Sequence, residues 1–371
     1  MGEKHRVRFE PVGIEIDVDE EQTVLRSAAE QGLMLMHGCK EGQCAACKSF
    51  VLDGDDIELD RYSTFALPDY EKEEGFTLLC RAHVYEDVTI ELLNFDEEMI
   101  RSGLPIQNAV AEVVSIEAVT HDLRHLVLRL IEPAEITFFP GQYMDIAVPG
   151  TDVTRSFSMA NTSSKADAHP RRKTHASSLH ESPDEAGRLE FVIKVYPDGF
   201  FSSFLDNSLK VGDRLDLTGP FGVFTLRDAP GADIVFVGGG AGLAPILALL
   251  RSMAERGIDR RAVFYYGARR RRDLCFLDEL AALEEKLPGF RFVPALSEPE
   301  DGESADGEDW AGETGFITDV VKRQESDLRR AHAYVCGPPP MVEAAMPLLA
   351  SLGVSEKHIY YDKFTTTGGE V

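Results

Sequence analysis

The chain has 371 residues, 43% hydrophobic and 27% charged, with 64 Asp and Glu against 38 Lys and Arg for a net charge of -26. That length fits two or three domains, each with its own core, and no run approaches the roughly 18 apolar residues needed to cross a bilayer. The acidity is uneven, since residues 1–98 hold 24 Asp and Glu against 9 Lys and Arg, a local net of -15. Such a surface argues against a nucleic-acid partner and serves either solubility alone or docking on a basic patch of another protein.

Met1 to Arg6 lead into an alternating pattern without an apolar leader, so a cytoplasmic location with no membrane partner is expected. Val7–Val12 and Ile14–Val18 alternate like a hairpin, and Val24–Gly32 reads as a helix closed by glycine. After Glu97 and Glu98, Arg101–Pro105 reads as a linker, and a new domain is expected from about Ile106.

Short apolar runs follow at Ala109–Ile116, Leu123–Leu130, Tyr143–Val148, Leu189–Val195 and Arg214–Thr218, separated by Gly and Pro turns; their spacing predicts an antiparallel barrel. From Ile234 the pattern changes to strands alternating with helices. Strands are expected at Ile234–Val237, Ala262–Tyr266, Arg291–Ala295 and Ala333–Cys336, with helices at Ala244–Arg256 and Asp278–Lys286. This predicts a parallel, doubly wound α/β sheet. The expected division is therefore 1–100, 106–226 and 231–371. Ser163–Gly187 and Glu298–Gly307 are too polar to pack and are expected to be surface loops; His169, His175 and His180 in the first have no common metal-site spacing.

Four of the six cysteines form one pattern, Cys39-x4-Cys44-x2-Cys47 followed by Cys80. This is the spacing by which plant-type ferredoxins hold a [2Fe–2S] cluster through four thiolates. Gly38 and Gly42 allow a tight loop whose amides can point at sulfur. A structural zinc site is the plain alternative, but it usually draws its cysteines from two short knuckles, and only Cys44 and Cys47 are so close.

Arg155-Ser156-Phe157-Ser158 follows Pro140-Gly141-Gln142-Tyr143. On a barrel strand such an arginine can clamp a pyrophosphate while a serine points the same way; an ordinary surface strand is the alternative. Gly199 to Ser202, at an expected helix start, could add amides for the same phosphates. Gly238, Gly239, Gly240 and Gly242 sit between a strand and a helix, an order that brings bare backbone against a pyrophosphate; a packing turn is the alternative. Cys336-Gly337-Pro338 ends the last parallel strand, where open α/β sheets keep their ligands, and Cys275 reads as a core residue.

Taken in order, these motifs resemble the ferredoxin–NAD(P)H reductase superfamily with a plant-type ferredoxin at the amino terminus, the arrangement of reductase components of soluble di-iron monooxygenases. The segments His37–Lys48 and Ile90–Asp96 look most like the propane type. The resemblance implies a β-grasp first domain and the cofactors [2Fe–2S], FAD and NADH. It implies that Arg155 binds the FAD pyrophosphate, that Ser158 bonds near flavin N5, that Phe157 packs on the isoalloxazine, that Tyr143 and Ser156 also bind the cofactor, and that Gly199 and Ser202 make a second phosphate contact. It also implies that Cys336 lies by the nicotinamide and that Phe364 covers the other flavin face. Phe157 stands where many members have Tyr, and seven residues follow Phe364. The implied partner is an oxygenase or hydroxylase component. The alternatives are the reductase of a ring-hydroxylating dioxygenase or of another aromatic or alkene monooxygenase, an iron–sulfur redox sensor, and a flavin or ferric reductase without a protein partner, which would leave the ferredoxin domain unexplained. Arg269–Arg272 favours NADPH on charge alone, whereas the resemblance, with an arginine at the position of Arg269, favours NADH.

Overall fold

The computed structural model describes residues 2–95, 100, 103–163, 187–299 and 310–364. Most of the expected loops 163–187 and 298–307, part of the 101–105 linker, Glu97, Glu98 and the last seven residues lie outside these. The chain divides into two compact units, Met1–Gln107 with Gly219–Val223, and Asn108–Thr218 with Phe224–Val371.

In the first unit, β1 (Lys4–Glu10), β2 (Ile14–Asp19), β3 (Lys48–Asp53), β5 (Phe76–Leu78) and β7 (Val88–Leu92) form a sheet of order β2-β1-β7-β3-β5, while β4 (Ile57–Leu59) pairs with β6 (Ala82–Val84). β1 and β7 are parallel, and the other pairs in that sheet are antiparallel. Alternation along β1 and β2 sends Val7, Phe9, Ile16 and Val18 inward, where they meet Val24, Leu25 and Ala28 of the helix α1 (Val24–Glu30). Thr23 caps that helix by accepting from the Arg26 amide, and Gly32 ends it at φ +78. A mixed sheet grasping one helix is the β-grasp arrangement.

The second unit begins with a six-stranded sheet of order β11-β10-β13-β8-β9-β12, antiparallel where β10 meets β11, β8 meets β9 and β9 meets β12. Its strands are β8 (Gln107–Ala118), β9 (Leu123–Glu132), β10 (Tyr143–Ala147), β11 (Thr154–Ser158), β12 (Arg188–Lys194) and β13 (Arg214–Phe221). A bridge between Met159 and Phe191 brings the edge after β11 to β12, so the sheet curls into a near-barrel around Ala111, Leu128, Ile146, Phe191 and Leu217. A helix, α2 (Phe200–Asn207), connects β12 to β13.

A parallel sheet follows, of order β17-β16-β15-β14-β18-β19, from β14 (Asp233–Gly239), β15 (Ala262–Ala268), β16 (Phe290–Leu296), β17 (Glu313–Thr314), β18 (Ala331–Gly337) and β19 (Ile359–Lys363). Helices at Leu243–Glu255, Leu277–Lys286, Ile317–Gln324 and Pro339–Ser351 connect it. Both faces are covered. Ile234 and Phe236 of β14 enter one core and Val235 and Val237 the other, which is why the strand reads as a continuous apolar run. The first of these cores also takes in Leu123, Val192 and Phe224, so the near-barrel and the parallel sheet form one unit. After β17 the chain returns to place β18 beside β14, leaving a crevice at the carboxyl ends of those two strands.

Candidate functional site: a thiol loop, a barrel strand and a switch-point cavity

The first unit brings the four spaced cysteines together. Cys39 lies against Cys44, with the Cys39 amide donating to Cys44 Sγ at 3.4 Å, and Cys47 lies against Cys80. Glu41 and Gln43 donate backbone N–H to Cys39 Sγ at 3.4 and 3.2 Å. The tight path needs left-handed backbone at Lys40, Gly42 and Ala45, and a Cβ on Gly42 would come within 2.6 Å of Tyr62 Cβ. These donors and the neighbouring thiol lower Cys39 to about 5, the Cys44 contact being the largest cause. Cys47 is also lowered, chiefly by Cys80, while Cys44 and Cys80 are raised by the same contacts and by burial.

Among the described residues no three His, Cys, Asp or Glu side chains converge as a single metal ion requires. Two separate pairs of thiols, with amides aimed at sulfur, instead suit two irons with two cysteines each. Within the same unit the Gly222 amide donates to His37 Nε2 at 3.2 Å and the Lys40 ammonium stands 3.5 Å from the Phe221 ring centre.

On the barrel, β10 and β11 pair so that Tyr143 faces Ser158 and Asp145 faces Ser156. Arg155 is half-buried and donates only to the Thr154 carbonyl at 2.9 Å; it has no carboxylate partner among the described residues. A cation so placed suits an anion such as a pyrophosphate. Phe157 is half-buried with its ring 4.6 Å from Phe201 and tilted 48° to it, and Ser158 and Tyr143 are buried. Ser156 is engaged differently, donating Oγ to Asp145 Oδ1 at 2.6 Å. Gly199 caps α2, and Ser202 is buried with its Oγ accepting from the Tyr196 amide at 2.9 Å. Its hydroxyl therefore holds the turn, leaving the turn's backbone as the candidate phosphate contact.

At the carboxyl ends of β14 and β18 lies a cavity of about 830 Å³ whose wall includes Gly239, Gly240, Arg269, Arg270, Arg272 and Pro338. The glycine run splits into two roles. Gly238 and Gly242 are packing glycines: a Cβ on Gly242 would lie 2.2 Å from the Cys336 carbonyl, and one on Gly238 2.9 Å from Ile246 and Phe264. Gly239 and Gly240 face the cavity, and Gly240 has φ +56 with open space around it. Cys336 is fully buried at the end of β18, where burial raises its thiol, and the Phe364 amide donates to the Gly337 carbonyl at 3.0 Å. Cys275 is buried with its sulfur 3.6 Å from the Tyr266 hydroxyl, as a core residue.

His121, Asp122, Lys194 and Tyr196 from the barrel and Phe316 before Ile317–Gln324 also line the cavity. Nothing local in the sequence marks them, because each stands far along the chain from the glycine turn it faces.

Three families match in chain order: the 2Fe-2S iron-sulfur cluster binding domain over residues 7–85, the oxidoreductase FAD-binding domain over 168–226 and the oxidoreductase NAD-binding domain over 236–346. The chain is 47% identical to the propane 2-monooxygenase reductase component of Mycolicibacterium goodii over 99% of both chains. It is 48% identical to that of Rhodococcus jostii over 100% of this chain and 94% of the other. It is 32% identical to the phenol 2-monooxygenase reductase component DmpP of a Pseudomonas species over 98% and 95%. In structure it is similar to the cytochrome P450 reductase GcoB of Amycolatopsis, with a TM-score of 0.81, 29% identity and coverage of 98% and 100%.

Proposed function

Because this chain belongs to the family of iron–sulfur flavoprotein reductase components of multicomponent oxygenases, an NAD-, FAD- and 2Fe-2S-binding oxidoreductase, we propose that it serves the hydroxylase of a propane-oxidising monooxygenase and draws on NADH. Its working domains are then residues 1–100, 106–226 and 231–371, and its site is cytoplasmic; among the described residues no helix is long and apolar enough to cross a membrane.

The observation that carries the propane reading is likeness along the whole chain. It reaches 45–48% with four propane 2-monooxygenase reductase components, against 32% with a phenol reductase and 30% with the toluate 1,2-dioxygenase electron transfer component of Pseudomonas putida.

When bound, NADH would supply a hydride, FAD the conversion of that two-electron donor into single electrons, and the cluster one-electron delivery. The residues' work is placement. Gly239 and Gly240 let the dinucleotide backbone approach the turn before Leu243–Glu255, and the arginine run receives its adenosine side. Arg155 holds the FAD pyrophosphate, and Phe157, without a hydroxyl, offers only a ring face. Burial keeps the Cys336 thiol protonated, so it acts by packing rather than as a base. Cys39, Cys44, Cys47 and Cys80 hold the two irons in pairs.

Reconstitution tests this reading. With a purified propane hydroxylase and its coupling protein, the chain is expected to support NADH-dependent conversion of propane to propanol. Support of a phenol hydroxylase with none for the propane hydroxylase would replace the propane assignment with an aromatic one.

A further inference from the structure

His121 stands on the cavity wall between two carboxylates far apart in the chain: its Nε2 is 3.3 Å from Asp122 Oδ2 and its Nδ1 is 3.3 Å from Asp273 Oδ1. Asp122 belongs to the turn before β9. Asp273 closes the short turn Arg271–Asp273 and accepts the Arg270 amide at 2.9 Å, so it fixes the arginine run that lines the cavity. We infer that His121 is a positioning residue for the dinucleotide, a clasp that in its protonated form holds the arginine-bearing turn to the barrel across the cavity wall.

The chemistry of the ring decides this. A neutral imidazole has one N–H and one lone pair, and the lone pair would have to face a carboxylate; only the imidazolium donates from both nitrogens. Asp273 Oδ1 is buried without an aligned hydrogen-bond donor among the described residues, and its basic neighbours are His121 and, at 4.0 Å, Arg272. Asp122 is already held by Lys194 and by the Thr120 hydroxyl at 3.1 Å. Tyr196 faces Asp122, and Tyr266 and Cys275 lie behind the two aspartates. The acidic side of this group thus has one buried carboxylate oxygen that a cationic His121 would satisfy.

The inference rests on the cavity being the dinucleotide site. Steady-state kinetics with NADH and ferricyanide test both. His121→Gln is expected to raise the NADH KM roughly two- to five-fold with kcat changed little, the scale of one partly exposed ion pair. His121→Arg, a permanent cation, should keep the wild-type KM. A His121→Gln variant with the wild-type KM, or an arginine variant that behaves like the glutamine one, overturns the clasp. Ala344→Trp, at an exposed lining position, separates the two readings. It should raise the NADH KM by filling the cavity. An unchanged KM there overturns the cavity assignment and the clasp with it, whereas a raised KM there beside an unchanged KM in His121→Gln overturns the clasp alone.

Discussion

Serine in place of Cys47 keeps the side chain's size but removes the thiolate that iron requires. Cys47→Ser is expected to lose iron and labile sulfide while retaining NADH-dependent reduction of ferricyanide, because flavin reduction needs no cluster. A normal iron–sulfur absorption spectrum in that variant would rule out Cys47 as a ligand. Gly242 is constrained by space, since any Cβ there meets the Cys336 carbonyl at 2.2 Å. Gly242→Ala should therefore lower unfolding stability by about 1–3 kcal/mol, the usual cost of overpacking, read by denaturant titration. A neutral effect would mean that β18 can yield. The cysteine spacing was legible because four ligands within 42 positions leave a local pattern. The division of labour among the glycines was not, because what fills the space beside Gly238 and Gly242 comes from other elements.

Elements were most legible where both faces are buried. The apolar runs of β14, β15 and β18 announced themselves, though each strand extends a residue or more beyond its apolar stretch. Ile317–Gln324 is not legible in the sequence because its cap, Phe316, is not a capping residue type, nor is Pro339–Ser351, because three prolines at its start and Pro347 inside it read as breakers. β19, Ile-Tyr-Tyr-Asp-Lys at the sheet edge, buries only Ile359 and shows no alternation.

Between elements, Arg251 of Leu243–Glu255 joins Glu190 of β12 at 2.9 Å to Glu279 of Leu277–Lys286 at 2.6 Å, with His125 of β9 at 3.3 Å from Glu190. Burial pushes the Glu190 carboxyl upward, but His125 and Arg251 outweigh it and bring it down to about 2. A depressed carboxyl stabilises the fold above its unfolded value, near 4.3, and that contribution disappears as pH falls through about 2. The contribution is roughly 3 kcal/mol at neutral pH. Glu190→Gln is expected to lower the unfolding midpoint at pH 7, with the gap to wild type closing below about pH 3. A gap constant with pH would assign the loss to packing alone.

At the scale of the whole molecule, charge and order of cofactors carry the function. The acidic first 98 residues should guide docking on a basic face of the oxygenase, and Phe65, 96% exposed beside the loop that Ser63 ties to Gly42, offers an apolar anchor there. Raising ionic strength should slow electron delivery to the hydroxylase far more than ferricyanide reduction, and Phe65→Ala should do the same at fixed salt; equal effects in both assays would remove the steering argument. For nucleotide choice, Arg269, Arg270 and Arg272 line the cavity, but Glu298 shares it. A 2′-phosphate would meet that carboxylate, so kcat/KM is expected to favour NADH; a preference for NADPH that collapses in Arg270→Ala would reverse this. If electrons enter at the nicotinamide site and leave through the cluster, anaerobic titration with NADH will show flavin bleaching coupled to the paramagnetic signal of the reduced cluster. Two NADH per chain, four electrons for the three that flavin and cluster together can hold, are expected to bleach the flavin and yield the cluster signal in wild type, while one NADH per chain, two electrons, should bleach the flavin of Cys47→Ser without the signal. A cluster that stays oxidised in wild type under that excess of NADH, while the flavin is fully reduced, would rule out this route.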